Sequence, residues 1–122
     1  MSFRAADSDK ALVHGAFILT PKPEFFDEVA EGLSRYAEIL EANEPDTLVF
    51  SVTKSCPAAG QEGPSQLAVA MVFKNEAAVE FHRSNSYSKE IWERSKDNHK
   101  LLCPPEIRTL TPIDGYMRRV DA

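Results

Sequence analysis

The sequence is poor in cysteine, glycine and base, and it has no long apolar run; each shortage removes a class of protein. Only two cysteines occur in 122 residues, Cys56 and Cys103. Each directly precedes a proline and neither has a second Cys or His at metal-finger spacing, so both read as reduced structural thiols. Of the five glycines, Gly60 and Gly63 flank only Gln-Glu in a stretch that opens no helix, so no phosphate-cradling loop is present. The absence of a G-x-S-x-G elbow sets aside serine hydrolysis. Lys plus Arg number 14 against 19 Asp plus Glu, and the net charge of −5 repels the phosphates of nucleic acid. Residues 11–21 lack charged side chains but fall far short of the ~20 apolar residues of a bilayer span. Neither nucleic acid nor a membrane is an expected partner. Asp7 and Asp9 stand where a secretory signal has a basic start and an apolar core, so the expected location is cytoplasmic.

What is present is a globular composition, 43% hydrophobic and 27% charged, in a chain long enough for one domain that folds without disulfides. Residues 12–119 are expected to form it, with residues 1–11 a flexible arm and residues 120–122 a tail.

Residues 12–20 (LVHGAFILT) are apolar on both alternating faces, as in a strand covered on both sides. From residue 24 to residue 43, Phe26, Val29, Leu33, Tyr36 and Leu40 recur at steps of three and four, and Pro23 stands at a favoured helix start. The other face of that helix is acidic, with Glu24, Asp27, Glu28, Glu31, Glu38 and Glu41 against Arg35, a solvated surface. Residues 47–53 and 67–73 read as strands joined by a Pro, Gly and Ser loop. Asn75 is placed to cap a short helix over residues 76–83, and Asn85 or Ser86 to cap another running to about residue 100. Pro104 and Pro105 end the helical region, and residues 107–112 with 116–119 read as a last strand interrupted at Asp114-Gly115.

This order, β-α-β-β-α-α-β, predicts an α+β fold of the ferredoxin-like split βαβ kind, an antiparallel four-stranded sheet with its helices on one face. Residues 67–73 (LAVAMVF) are seven consecutive apolar residues, so Ala68, Ala70 and Val72 or their alternates would lie on the face without helices. A second copy of the chain is the simplest cover, giving a homodimer through the open sheet face.

The stretch Val72-Phe-Lys-Asn-Glu-Ala-Ala-Val-Glu-Phe-His82, followed by Ser84-Asn-Ser-Tyr-Ser-Lys89, resembles the strand end, histidine helix and S-x-x-F/Y-K segment of the antibiotic biosynthesis monooxygenase family. Lys22-Pro23, Glu44-Pro-Asp-Thr-Leu48 and Pro105-Glu-Ile-Arg-Thr-Leu110 support the likeness, which covers residues 12–119. It implies a dimeric α/β barrel. It also implies one of several activities: cofactor-independent oxygenation of polyketide aromatics, haem degradation, isomerisation or, in a related barrel family, cyclisation. Met71 and Phe73 stand where that family often has an acid and a Trp.

Three histidines are candidate catalytic groups, His82, His14 and His99. They lack the i, i+4 spacing of a helical zinc pair, and no metal or cofactor is expected. His82 lies on the side of Ala78 and Val79 and matches the family's helix histidine, which makes it the first choice of base. The expected walls of an apolar cavity for a small aromatic molecule are Phe26, Val29, Leu33, Tyr36, Phe73, Phe81, Tyr87, Ile91 and Trp92, all of which also suit a plain core. The functional expectation is a small tailoring enzyme acting on an aromatic or enolisable, polyketide-like substrate. Oxygenation without a cofactor requires the deprotonated substrate to supply the electrons, so the protein needs only a cavity, a base and orientation. The alternatives are a cyclase or isomerase using the same base, a haem-binding degrader with His82 or His99 as axial ligand, and a non-catalytic dimeric binding protein.

Overall fold

Strand β1, Val13–Leu19, leaves through Thr20 and Pro21 into a 3-10 turn at Pro23–Phe25, and that turn runs straight into α1, Phe26–Asn43. The computed structural model describes residues 12–96 and 99–115. Along them follow β2 (Thr47–Ser55), β3 (Gln66–Phe73), α2 (Glu76–Ser84), α3 (Ser86–Lys96) and β4 (Glu106–Leu110). All strand pairs are antiparallel and the sheet order is β2-β3-β1-β4, the ferredoxin-like arrangement that the element order predicts. The two most apolar strands, β3 and β1, take the centre, where both backbone edges are paired.

The helices cover one face. Leu67, Val69, Met71 and Phe73 of β3 share it with Phe17 and Leu19 of β1. Leu33 of α1 packs with Leu19, Leu67 and Val69, and Phe26, Val29 and Phe50 close around them. Burying each such side chain contributes about 1.5 to 3 kcal/mol. A second cluster joins Phe73 to Ala78 and Val79 of α2, a helix capped as predicted by Asn75, whose Oδ1 accepts from the Ala78 N–H at 2.9 Å.

The opposite face carries His14, Ala16 and Ile18 of β1, Ala68, Ala70 and Val72 of β3, and Val49, Ser51 and Thr53 of β2. Val72 is buried, Ala70 is exposed, and Ala16, Ile18 and Ala68 are half-buried. β1 is thus covered by helices on one side only. The register of β2 against β3 shifts between Thr47 and Val49, a bulge that leaves Leu48 exposed.

Three expectations need correction. α3 stops at Lys96 and does not reach residue 100, because the chain at 100–102 is tied to the exit of β1. The Lys22 N–H donates to the Lys100 carbonyl at 2.8 Å, the Leu102 N–H donates to the Thr20 carbonyl at 2.7 Å, and Pro21 bridges to Leu101. Those backbone groups are committed and cannot close helical turns. The last strand is shorter than residues 107–112, ending at Leu110, and its expected continuation at 116–119 lies outside the described residues, as do the arm and the tail. Cys56 and Cys103 are free, but both are exposed and neither is part of the core. Among the described residues no helix is long and apolar enough to cross a membrane.

Candidate functional site

The end of α1 builds the most unusual environment in the molecule. Glu44 follows the last helical residue, its N–H donates to the Leu40 carbonyl at 2.8 Å, and Pro45 stops the helix there. Its carboxylate lands inside the protein and is 2% exposed. Four donors meet it. Oε1 accepts from the Thr47 hydroxyl at 2.7 Å and from His82 Nδ1 at 2.8 Å. Oε2 accepts from the Asn85 amide at 3.0 Å and from the Tyr87 hydroxyl.

His82 sits in the last turn of α2 with its ring centroid 5.3 Å from Phe73 and 6.2 Å from Tyr36. An ionised carboxylate only accepts, so Nδ1 carries a proton, and in the neutral form of the ring the lone pair is then on Nε2. That nitrogen lies 3.5 Å from the Tyr36 hydroxyl, which is itself 2.8 Å from Ser88 Oγ on α3. Carboxylate, imidazole, phenol and hydroxyl therefore form one chain from the end of α1 to α3. Phe50 packs edge-on against Tyr36 at 5.4 Å and shields it from the sheet side.

Burial by itself pushes the Glu44 carboxyl up, but the donors Tyr87, Thr47 and His82 outweigh it and hold the group below its ordinary value of 4.5. Burial raises the Tyr36 phenol; the Ser88 hydrogen bond opposes this in part and the Glu44 charge adds to it. The Tyr87 phenol is raised by burial and by its bond to Glu44. Both tyrosines stay protonated at neutral pH, and the carboxylate stays charged, so an imidazolium formed at His82 would find its counter-ion already in place.

The structure scatters the other predicted groups. His14 lies on the open sheet face, opposite Val72 and Leu110 in register, with its pKa lowered by burial. His99 is exposed and sits edge-on to Phe25 at 5.5 Å. Neither joins His82. Phe26 and Leu33, with Val29, fill the space between α1 and the sheet as core. Tyr36, Phe73 and Tyr87 gather around His82, and Ile91 is half-buried in α3. The side chain of Trp92 is outside the described set. Phe81 is 52% exposed and lines a cleft of about 320 Å3 between the Glu44 to Thr47 turn and the start of α2, with Pro45, Asp46, Asn75, Ala77 and Ala78 as its other walls. Among the described side chains, Phe81 alone of the predicted cavity walls borders that cleft.

Sequence reading assigned no role to Glu44 or Ser88 and took Asn85 as a possible cap. The signal for Glu44 was slight: a carboxylate directly before a helix-stopping proline, at the end of a face where Tyr36 and Leu40 are buried. Among the described residues no three His, Cys, Asp or Glu side chains converge as a metal ion would need.

A four-stranded antiparallel sheet in the order β2-β3-β1-β4 with its helices on one face defines the class, the ferredoxin-like α+β proteins. The sequence profile of the antibiotic biosynthesis monooxygenases matches residues 14–94, and the chain belongs to that family. It is similar to the crystal structure of a protein from Caulobacter crescentus provisionally named an antibiotic biosynthesis monooxygenase, with 21% identity and a TM-score of 0.66 over 86% of this chain and 92% of that one. A protein of the same provisional name from Bacteroides thetaiotaomicron matches at 22% identity and TM-score 0.65 over 88% and 96% of the two chains. A dimeric ferredoxin-like protein of unknown function from Jannaschia matches at 10% identity and TM-score 0.64 over 81% and 97%. At these identities the likeness shows the fold. None of the curated proteins compared matches the chain.

Proposed function

We propose that residues 12–119 form a small cofactor-free tailoring enzyme that oxygenates an aromatic or enolisable, polyketide-like substrate, with His82 as general base. The observation that carries this reading is the buried Glu44 carboxylate on His82 Nδ1, which leaves Nε2 basic and turned to the Tyr36 hydroxyl. Nε2 removes a proton from a phenol or an activated carbon, directly or through the Tyr36 hydroxyl, and the resulting anion gives its electrons to dioxygen. One oxygen atom enters the product and the other leaves as water, with all electrons drawn from the substrate. Glu44 stabilises the imidazolium without rearrangement, because its donors are already set. Phe50, Phe73 and Tyr36 make the surroundings aromatic and dry, which strengthens each of these interactions.

Oxygen uptake with anthrone as probe tests this. His82→Ala is expected to lower turnover by roughly 10² to 10⁴. A fully active variant would move the base to His14 or His99, or to a substrate acidic enough to need none, and a wild-type protein inert toward phenolic and enolic probes alike would favour the non-catalytic binding role.

The same proposal includes a homodimer joined through the open sheet face. Ala70 is exposed there and Ala16, Ile18 and Ala68 are half-buried, an apolar strip that a second copy would cover. The Jannaschia protein, dimeric by its description, supports this by analogy. Light scattering is expected to give twice the chain mass, and Ala70→Arg to give a monomer or an unfolded chain, since it places an unpaired charge in the contact. A wild-type monomer at micromolar concentration would overturn it.

A further inference from the structure

Asn85 and Tyr87 come from the single residue between α2 and α3 and from the first turn of α3. Asn85 does occupy a helix-start position, since its carbonyl accepts from the Lys89 N–H at 3.1 Å. Its side chain is spent elsewhere. The amide donates to Glu44 Oε2 at 3.0 Å and to the Tyr87 hydroxyl oxygen at 2.9 Å, and that hydroxyl donates to the same Oε2. An amide has two hydrogens, so both donations coexist and the three groups close a triangle on one carboxylate oxygen. The other oxygen is held by Thr47 and His82, while Tyr36 from α1 and Ser88 from α3 face the cluster from beyond the imidazole.

We infer that Asn85 and Tyr87 are positioning residues that fix the proton of His82 on Nδ1, and that Tyr87 does this in place of contacting substrate. The two tautomers of a neutral imidazole lie close in energy, and the group facing Nδ1 selects between them. An ionised Oε1 accepts and demands Nδ1–H. A protonated carboxyl rotated onto Nδ1 would donate instead, send the ring proton to Nε2 and remove the lone pair that faces Tyr36. Oε2 is the oxygen such a proton would take, and both of its lone-pair directions are already filled by Asn85 and Tyr87. The catalytic meaning of this rests on His82 being the base, but the tautomer itself is read without substrate.

The experiment is imidazole nitrogen NMR on the full chain with 15N-labelled histidine, recorded from alkaline pH down through a paired 13C titration of the Glu44 carboxyl. Wild type is expected to show His82 protonated on Nδ1 and bare on Nε2. Tyr87→Phe, which keeps the ring, is expected to move the carboxyl titration upward, and the double variant Tyr87→Phe with Asn85→Ala to move it further and, where the carboxyl holds its proton, to add a population protonated on Nε2. Glu44→Gln, whose amide can donate to Nδ1, supplies the reference spectrum of that reversed state. Unchanged tautomer and unchanged carboxyl titration in the folded variants would overturn the inference. Should the double variant fail to fold, the carboxyl titration of Tyr87→Phe decides alone. An inactive protein with the expected spectra would sink the catalytic reading and leave this one standing.

Discussion

Helix α1 supports two unlike interiors along one buried face. Its first half sets Phe26, Val29 and Leu33 against Leu19, Leu67 and Val69 in an apolar cluster. Its second half buries Tyr36 and Leu40 and ends at Glu44, where a carboxylate is held by four donors from β2, α2, the α2–α3 junction and α3. The first half depends on volume and accepts any side chains that fill it. The second depends on completeness, because a buried charge is tolerable only while each of its partners is present. The comparison separates what holds the chain together from what it does with a proton.

The sharpest way to test that contrast is to cut each half once. Glu44→Ala is expected to cost the most, about 3 to 5 kcal/mol, since it strands an imidazole N–H, an amide and two hydroxyls together. Leu33→Ala is expected to cost about 2 to 5 kcal/mol through a cavity. Urea unfolding at neutral pH and again in acid tells them apart, because the penalty at Glu44 shrinks in acid while that at Leu33 does not. Parallel behaviour of the two variants would erase the distinction.

Smaller effects come from titration, and they set the helix side against the open sheet face. Glu44 is depressed in the folded state, so its contribution is whole above its ordinary value of 4.5 and is lost as pH falls through the folded value. His14 is also depressed, because burial disfavours its charged ring, so its contribution is whole above about 6.5 and declines as pH falls below that. Acid therefore weakens the open face first and the helix side later. A stability profile against pH should show the upper step vanish in His14→Gln while the lower step remains. A profile with both steps intact in that variant would place the upper one elsewhere.

The architecture was legible because its signals are local. The three-and-four spacing of α1, the Asn75 cap and the seven-residue apolar run of β3 each needed only a short window of sequence. The site was half legible. His82 and Tyr36 were visible as polar groups on apolar faces, whereas Glu44 was one more acid at the end of a strongly acidic helix. Its burial depends on Asn85 and Tyr87, some forty positions away, and such a meeting leaves no periodic trace. The role of the aromatic and aliphatic stripe was not legible, since it reads alike whether it lines a void or fills one; Phe26, Val29 and Leu33 pack as core. The overrun of α3 reflects the tie between residues 20–22 and 100–102, also set by partners remote in sequence.

The bulge in β2 has a consequence of parity. From Val49 onward the strand alternates strictly, with Phe50 and Val52 toward the helices and Val49, Ser51 and Thr53 away from them. Counting back by twos would send Thr47 away as well. The inserted Leu48 reverses the count, pairs Thr47 with Phe73 and delivers its hydroxyl to Glu44. Ironing the bulge flat with Leu48 still in place would put Leu48 opposite Phe73 and turn the hydroxyl to the wrong side of the sheet, whereas deleting Leu48 would leave Thr47 opposite Phe73, so the bulge lets the strand carry one extra residue without changing the face of Thr47.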